Sequence, residues 1–247
     1  MVGCNFDPGK RSVNRPVAPA SHAGHRRPPR PRVWPTRLQR HGRVRVKTQI
    51  VIYDGFDELD AVGPYEVLTA AGRRGAPFVV ELAHMEGPRE VEGSQGLHVR
   101  ATAMLSQQLD LLVVPGGRWA DPASQVGARV EAERGLLPKA IARLHAGGAT
   151  IASVCTGAML LAAAGLTRNR PATTHHVAWE ALKASGATLV DARVVDDGEL
   201  VTAGGITSGL DLGLWLVERY AGAALAQELE RHLEYQRQGT VWQRQTG

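Results

Sequence analysis

Residues 149–166 read ATIASVCTGAMLLAAAGL. The first seven form a β-rich apolar run. After Thr156 and Gly157 the composition turns to helix formers and closes on Gly165. A strand therefore passes directly into a helix, with Cys155 at the junction. A side chain held on so sharp a turn projects from the sheet edge, as in the serine elbow of other α/β enzymes, whose glycine pattern differs from this one. The following helix offers unpaired N–H groups and the positive end of its dipole. Both favour a thiolate, so the Cys155 pKa is expected to lie below that of a free thiol. Gly157 is expected to let a ligand approach the backbone closely. A lone cysteine is also among the most buried residue types, so residue identity alone leaves an inert role open.

The same alternation runs outward in both directions. TQIVIYD (48–54) is a strand ended by Asp54-Gly55. ELDAVGPYEVLTAAGRRG (58–75) is helical, with Asp57 as N-cap, Pro64 in the first turn and Gly72 or Gly75 as the stop. PFVVELAH (77–84) is a strand, and HVRATA (98–103) alternates like a hairpin or edge strand. DLLVVPGG (110–117) is a continuous apolar strand ending in a glycine pair. Residues 126–146 have helical spacing with a break expected near Pro138, and 176–186 is a further amphipathic helix. RVVDDGELVTAGG (193–205) reads as a hairpin turned at Asp197-Gly198. Two closing helices follow, over 208–222 and 223–238, and no internal repeat is visible.

Apolar strands alternating with helices predict an α/β fold whose parallel sheet is covered on both faces. Ligands of such sheets bind outside the carboxyl ends of the strands. Three groups fall at such ends: Asp57 to Gly63, Pro115-Gly116-Gly117, and Cys155-Thr156-Gly157. The N–H groups of Gly117 and Thr156 are candidates for an oxyanion-type site, although a plain tight turn also explains the PGG sequence.

At 247 residues and 43% hydrophobic, the chain suffices for one sizeable core. Its net charge of +5 divides unevenly. Residues 1–47 carry 12 Lys/Arg against one acid, whereas the other 200 carry 17 against 23. The first 47 residues also hold seven of the 14 prolines. That composition predicts a disordered basic tail before a folded domain over 48–247. Three readings of the tail stay open: a weak arm for nucleic acid or other polyanions, a targeting peptide, or a segment with no function, whether an appendage or the result of a wrongly chosen upstream start codon. The two cysteines, Cys4 and Cys155, are too few and too far apart for a disulfide framework or zinc cluster, which points to a reducing, cytoplasmic setting. No run approaches the ~20 apolar residues of a membrane span, and no apolar segment of a secretory signal follows Met1.

VCTGAMLLAAAGL, VVPGG, DELDAVGPYEVL, ATTHH, LVTAGGITSGLDLGLWLVER and EYQRQGTVW, taken together, resemble the DJ-1/PfpI superfamily over about residues 48–242. The likeness is greatest to its isonitrile hydratase branch. It implies a flavodoxin-like three-layer sandwich of the class I glutamine amidotransferase-like type, a homodimer, a small-molecule substrate and no cofactor. It makes Cys155 the nucleophile, Asp60 its acid partner, and Thr156 a further functional residue. Relatives with protease-like or chaperone activity often have Cys-His at the elbow, where this chain has Cys-Thr. The hydratases commonly have an aromatic residue where this chain has His176, which bears on pocket shape.

The physics of the pair stands beside that resemblance. A carboxyl next to a thiol shares a proton with it, and the two titrate together. Burial raises the carboxyl pKa, so Asp60 becomes able to deliver a proton. Without the resemblance, a helix-start carboxylate stabilised by the dipole explains Asp60 as well. Asp57 and Glu58 are assigned to capping or solvent. Of the adjacent His175 and His176, one at most should face the cleft. A metal would need further ligands, so none is expected. Trp119 walls a pocket or packs on a helix. Three functions follow: isonitrile hydration, a ligand- or redox-sensing module, and an amide or peptide hydrolase using a histidine base. The sequence stops with EYQRQGTVWQRQTG, where regulators of this superfamily continue into a helix-turn-helix domain, so a one-chain regulator is not expected, while sensing through a partner stays open.

Overall fold

A computed structural model describes residues 45–244. The basic tail assigned to residues 1–47 lies outside the described residues, apart from its last three. Strand β1 (Val46–Val51) opens two residues before the expected Thr48. Val46 is fully buried and its N–H bonds to Pro77 O at 2.7 Å, which extends the strand backward.

The remaining strands are β2 (Phe78–His84), β3 (Arg89–Glu92), β4 (His98–Ala101), β5 (Ala103–Met104), β6 (Leu111–Val114), β7 (Thr150–Ser153), β8 (Pro171–Ala172), β9 (Thr188–Leu189), β10 (Val194–Asp196), β11 (Leu200–Ala203) and β12 (Trp242–Gln243). Eight form one sheet in the order β12-β10-β11-β7-β6-β1-β2-β5. From β5 to β11 every neighbour is parallel; β10 runs antiparallel to β11. The run β2-β1-β6-β7-β11 has the flavodoxin-like strand order. Residues 98–103 supply both expected alternatives, since β4 pairs with β3 as a hairpin and β5 is the sheet edge.

The helices are α1 (Glu58–Arg73), α2 (Ala128–Arg134), α3 (Leu136–Ala146), α4 (Gly157–Ala163), α5 (Trp179–Ala184), α6 (Ser208–Ala221) and α7 (Ala223–His232). Helices α1, α6 and α7 pack together, and α2, α3 and α4 form the other layer. All four residues of β6 and of β7 are buried, as a strand covered on both faces requires. Fully buried Leu111, Leu112 and Ile151 each contribute about 2 kcal/mol by leaving water. Helices α1 and α6 approach closely because Gly213 is bare: a Cβ there would lie 2.8 Å from Val67 Cβ.

Several boundaries differ from expectation for local reasons. Pro64 sits in the second turn of α1, since Asp57 caps the helix by accepting the Leu59 N–H at 3.2 Å. The break between α2 and α3 is at Gly135, in the left-handed region at φ +73°, while Pro138 lies in the first turn of α3. The hairpin turn is Gly198-Glu199, closed by the Asp197 N–H on Leu200 O at 2.9 Å. Helix α7 ends at His232, and the chain beyond it leads to β12 instead of extending the helix to Gln238.

Candidate functional site

Strand β7 delivers Cys155 to the carboxyl edge of the sheet in a left-handed conformation, φ +55°. A non-glycine residue held there stores about 1–3 kcal/mol of strain. Both flanking peptides hold it in place. The Cys155 N–H donates to Ala203 O and Gly204 O at 3.1 and 2.8 Å, and its carbonyl accepts from Thr174 Oγ1 at 2.8 Å. The elbow expected from the sequence is therefore present.

The glycines around it serve the packing of one chain segment on another. A Cβ on Gly157 would lie 2.1 Å from Val114 O, so its bareness admits the end of β6 where a ligand had been expected. A Cβ on Gly116 would meet Thr156 Oγ1 at 2.4 Å, and one on Gly117 would meet Gly55 O at 2.2 Å. The Pro115-Gly116-Gly117 turn is thus wedged between the elbow and the entry to α1. The Gly116 N–H donates to Asp60 Oδ2 at 2.9 Å, and Gly116 O accepts the Asp57 N–H at 2.8 Å. The Gly117 N–H donates to Thr156 Oγ1 at 3.0 Å. That bond occupies the donor expected to pair with the Thr156 N–H. The backbone N–H groups beside the Cys155 sulfur are instead those of Ile206 and Thr156.

Asp60 is fully buried and Cys155 is 6% exposed. Burial, then the charge of Asp57, holds the Asp60 carboxyl well above its ordinary range, against the pull of the Gly116 N–H and the Cys155 thiol. Its Oδ1 is buried without a hydrogen bond of ordinary geometry, and the thiol is the polar side chain beside the carboxyl. The Cys155 thiol is pushed up to about 12 by burial and then by Asp60, with the Ile206 and Thr156 N–H groups pulling the other way. The expected depression of the thiol pKa does not occur. Helix α4 has only seven residues, and its dipole is outweighed by the cover of α1 and the PGG turn. Both members of the pair favour their protonated forms, and their protons leave as a coupled system.

A cleft of about 400 Å³ opens over the sulfur. Asp57, Gly117, Arg118, Trp119, Cys155, Thr156, His175, Val177 and Ile206 line it. Trp119 walls it, held by Arg129, whose guanidinium stacks 4.9 Å from the indole centroid and donates to Trp119 O. His175 faces the cleft and lies against Gly205, where a Cβ would be 2.4 Å from its ring. His176 lies outside this cleft, and the two rings stand 4.2 Å apart. Burial, then His176, lowers the His175 pKa. Asp57 caps α1 as expected and also reaches the cleft. Glu58, assigned to capping or solvent, instead clamps the β3–β4 turn through Ser94 Oγ and the N–H groups of Gln95 and Leu97. Among the described residues, no group of three or more His, Cys, Asp or Glu could hold a metal ion. Sequence reasoning missed Ile206, Val177 and Arg118. The glycine pair after β11, next to β7 in the sheet, marks the segment that carries Ile206.

Residues 46–219 match the DJ-1/PfpI family. The chain belongs to the DJ-1/PfpI family. It is 35% identical over 187 residues to an isonitrile hydratase of Pseudomonas putida, covering 75% of this chain and 76% of that protein. It is 26% identical over 162 residues to a deglycase of Thermococcus kodakarensis, covering 64% and 89%. A ThiJ/PfpI family protein from Pseudomonas syringae superposes with a TM-score of 0.69 at 27% identity, over 79% of this chain and 77% of that one. DJ-1beta of Drosophila melanogaster superposes at 0.67 and 23% identity, over 78% and 100%, a likeness of fold. In this DJ-1/PfpI protein the Cys-Thr elbow, the PGG turn and the α1 carboxylate lie in one cluster.

Proposed function

We propose that this protein hydrates an isonitrile, R–N≡C, to the N-substituted formamide R–NH–CHO. The observation that carries the reading is Asp60: a buried carboxyl in no ion pair among the described residues, held by the Gly116 N–H and beside a thiol that favours its protonated form. Addition to an isonitrile requires both a sulfur–carbon bond and a proton on the same carbon. A thiol and carboxyl sharing protons supply both, whereas a permanently ionised thiolate supplies only the first. Similarity to the Pseudomonas putida isonitrile hydratase supports the same chemistry.

Asp60 delivers a proton to the terminal carbon, and Cys155 sulfur bonds to that carbon as the thiol proton passes to Asp60. The product is the thioimidate R–N=CH–S–Cys155. Water then adds across C=N: Asp60, reprotonated by the thiol in the first step, gives that proton to the nitrogen as it takes one from the water. This gives R–NH–CH(OH)–S–Cys155. The C–S bond breaks with its electron pair returning to sulfur, and the hydroxyl proton passes back through Asp60 to the thiol. One water is consumed and nothing is oxidised or reduced. The Thr156 hydroxyl accepts the Gly117 N–H, so its own hydrogen is left to donate to the substrate nitrogen. The Thr156 and Ile206 N–H groups steady charge on sulfur. Trp119, Val177 and Ile206 give the R group an apolar bed.

Two rivals fit less well. A peroxide-sensing cysteine is exposed and readily ionised; Cys155 is neither. A hydrolase needs a histidine hydrogen-bonded to its nucleophile, but His175 Nδ1 accepts the Val177 N–H at 3.3 Å and its ring lies against Gly205. Formamide production from cyclohexyl isocyanide tests the proposal: the wild type forms product, Cys155→Ala forms none, and Asp60→Asn forms it about 1,000-fold more slowly. Equal rates from all three would remove both residues from the reaction.

A further inference from the structure

Tyr53 lies just past the end of β1, buried, and its hydroxyl donates to Pro115 O at 2.6 Å. Pro115 O receives no backbone N–H among the described residues. That carbonyl belongs to the same peptide unit as the Gly116 N–H, which donates to Asp60 Oδ2 at 2.9 Å. The three groups form one line: Tyr53 O–H to carbonyl, through the peptide, to N–H and carboxyl. We propose that Tyr53 is a positioning residue that sets the proton affinity and orientation of Asp60 through the Pro115–Gly116 peptide. Drawing electron density toward Pro115 O makes the Gly116 N–H a stronger donor, and chains of hydrogen bonds reinforce one another in this way. A stronger donor favours the ionised carboxyl, so Tyr53 moderates the rise that burial imposes and fixes Oδ2, leaving Oδ1 for the thiol.

The neighbours leave Tyr53 as a tuning device without a charge of its own. The charges of Asp57, the N-cap of α1, and of Glu58 raise the Asp60 carboxyl after burial, while the Cys155 thiol on the elbow pulls it down. Burial first, and then Asp60, Glu131 of α2, Cys155 and Asp57, hold the Tyr53 phenol well above its ordinary range. It therefore stays a donor throughout the working range of the pair. The Gly116–Gly117 peptide repeats the design, relaying the Asp57 N–H to Thr156 Oγ1. Tyr53 is the side chain in the scheme that can be changed without touching sulfur, carboxyl or cleft.

The inference rests on the Cys155–Asp60 pairing above, and its test needs no isonitrile. Iodoacetamide alkylation of Cys155 in the full chain is followed against pH by mass spectrometry of the Cys155 peptide, which separates it from Cys4. Thiolate forms in two steps in a coupled pair, and the first inflection reports the first proton lost. Tyr53→Phe is expected to move that inflection upward by about half a pH unit. Site-specific 3-fluorotyrosine, a stronger donor of nearly the same shape, moves it downward and decides the matter if the phenylalanine variant does not fold. In an Asp60→Asn background neither change has an effect. Superimposable profiles, or equal shifts with and without Asp60, would overturn the proposal. A failure of formamide production alone would instead strike at the hydratase reading and leave this result standing.

Discussion

Two regions of this molecule bury carboxylates, and they treat them in opposite ways. Near β10 and α6, Asp196, Asp197 and Asp211 are each 5% exposed or less. Asp196 meets Arg219 and accepts the Trp215 indole N–H at 2.8 Å. Asp197 bridges Arg170 and Arg244. Asp211 holds Arg193 at 2.6 Å, the Tyr235 hydroxyl and the Gln238 N–H, tying the C-terminal segment to the sheet. Asp60, equally buried, is in no ion pair among the described residues and has one backbone donor and the Cys155 thiol beside it. The carboxylates paired with arginine fasten the fold, whereas the one without an arginine is placed to pass protons to its neighbouring sulfur.

Exchanging the two fates breaks or sharpens that contrast. Asp60→Asn is expected to lower formamide turnover about 1,000-fold without lowering the urea midpoint; a midpoint that falls while turnover persists would make Asp60 a structural carboxylate. Asp211→Ala is expected to do the reverse, costing about 2–3 kcal/mol in urea unfolding while the folded fraction keeps its turnover. The pH response is smaller. The folded thiol pKa is raised from 9.0 to about 12, so folded protein holds that proton more tightly than unfolded protein. Its contribution is complete below pH 9 and is lost as pH rises toward 12. At pH 10 the wild type should have lost about 1 kcal/mol more stability than Cys155→Ala, read from paired unfolding curves. The smallest change belongs to His175→Ala, expected to keep turnover within about threefold. Loss of all turnover would restore the hydrolase arrangement.

Much of the site was legible because strand ends announce themselves. Cys155, the PGG turn and Asp57 each follow an apolar run, and a parallel sheet brings such ends together. Asp60 was legible only through resemblance, since a third residue of a helix looks like any dipole-stabilised acid. The rise in the thiol pKa was hidden because a helix start can be read locally, whereas burial comes from α1 and β6, far away in sequence. Tyr53, Ile206 and the Asp–Arg pairs were hidden for the same reason. Arg170 and Asp197 are 27 residues apart, and no spacing rule links them.

The central claim is that Asp60 holds a proton available to its neighbouring sulfur. Infrared difference spectra of the carboxyl stretch, wild type minus Asp60→Asn, followed against pH, test it most directly. The account predicts a midpoint well above the ordinary carboxylate range that moves when Cys155 is alkylated. A midpoint near 4, unmoved by alkylation, would contradict it.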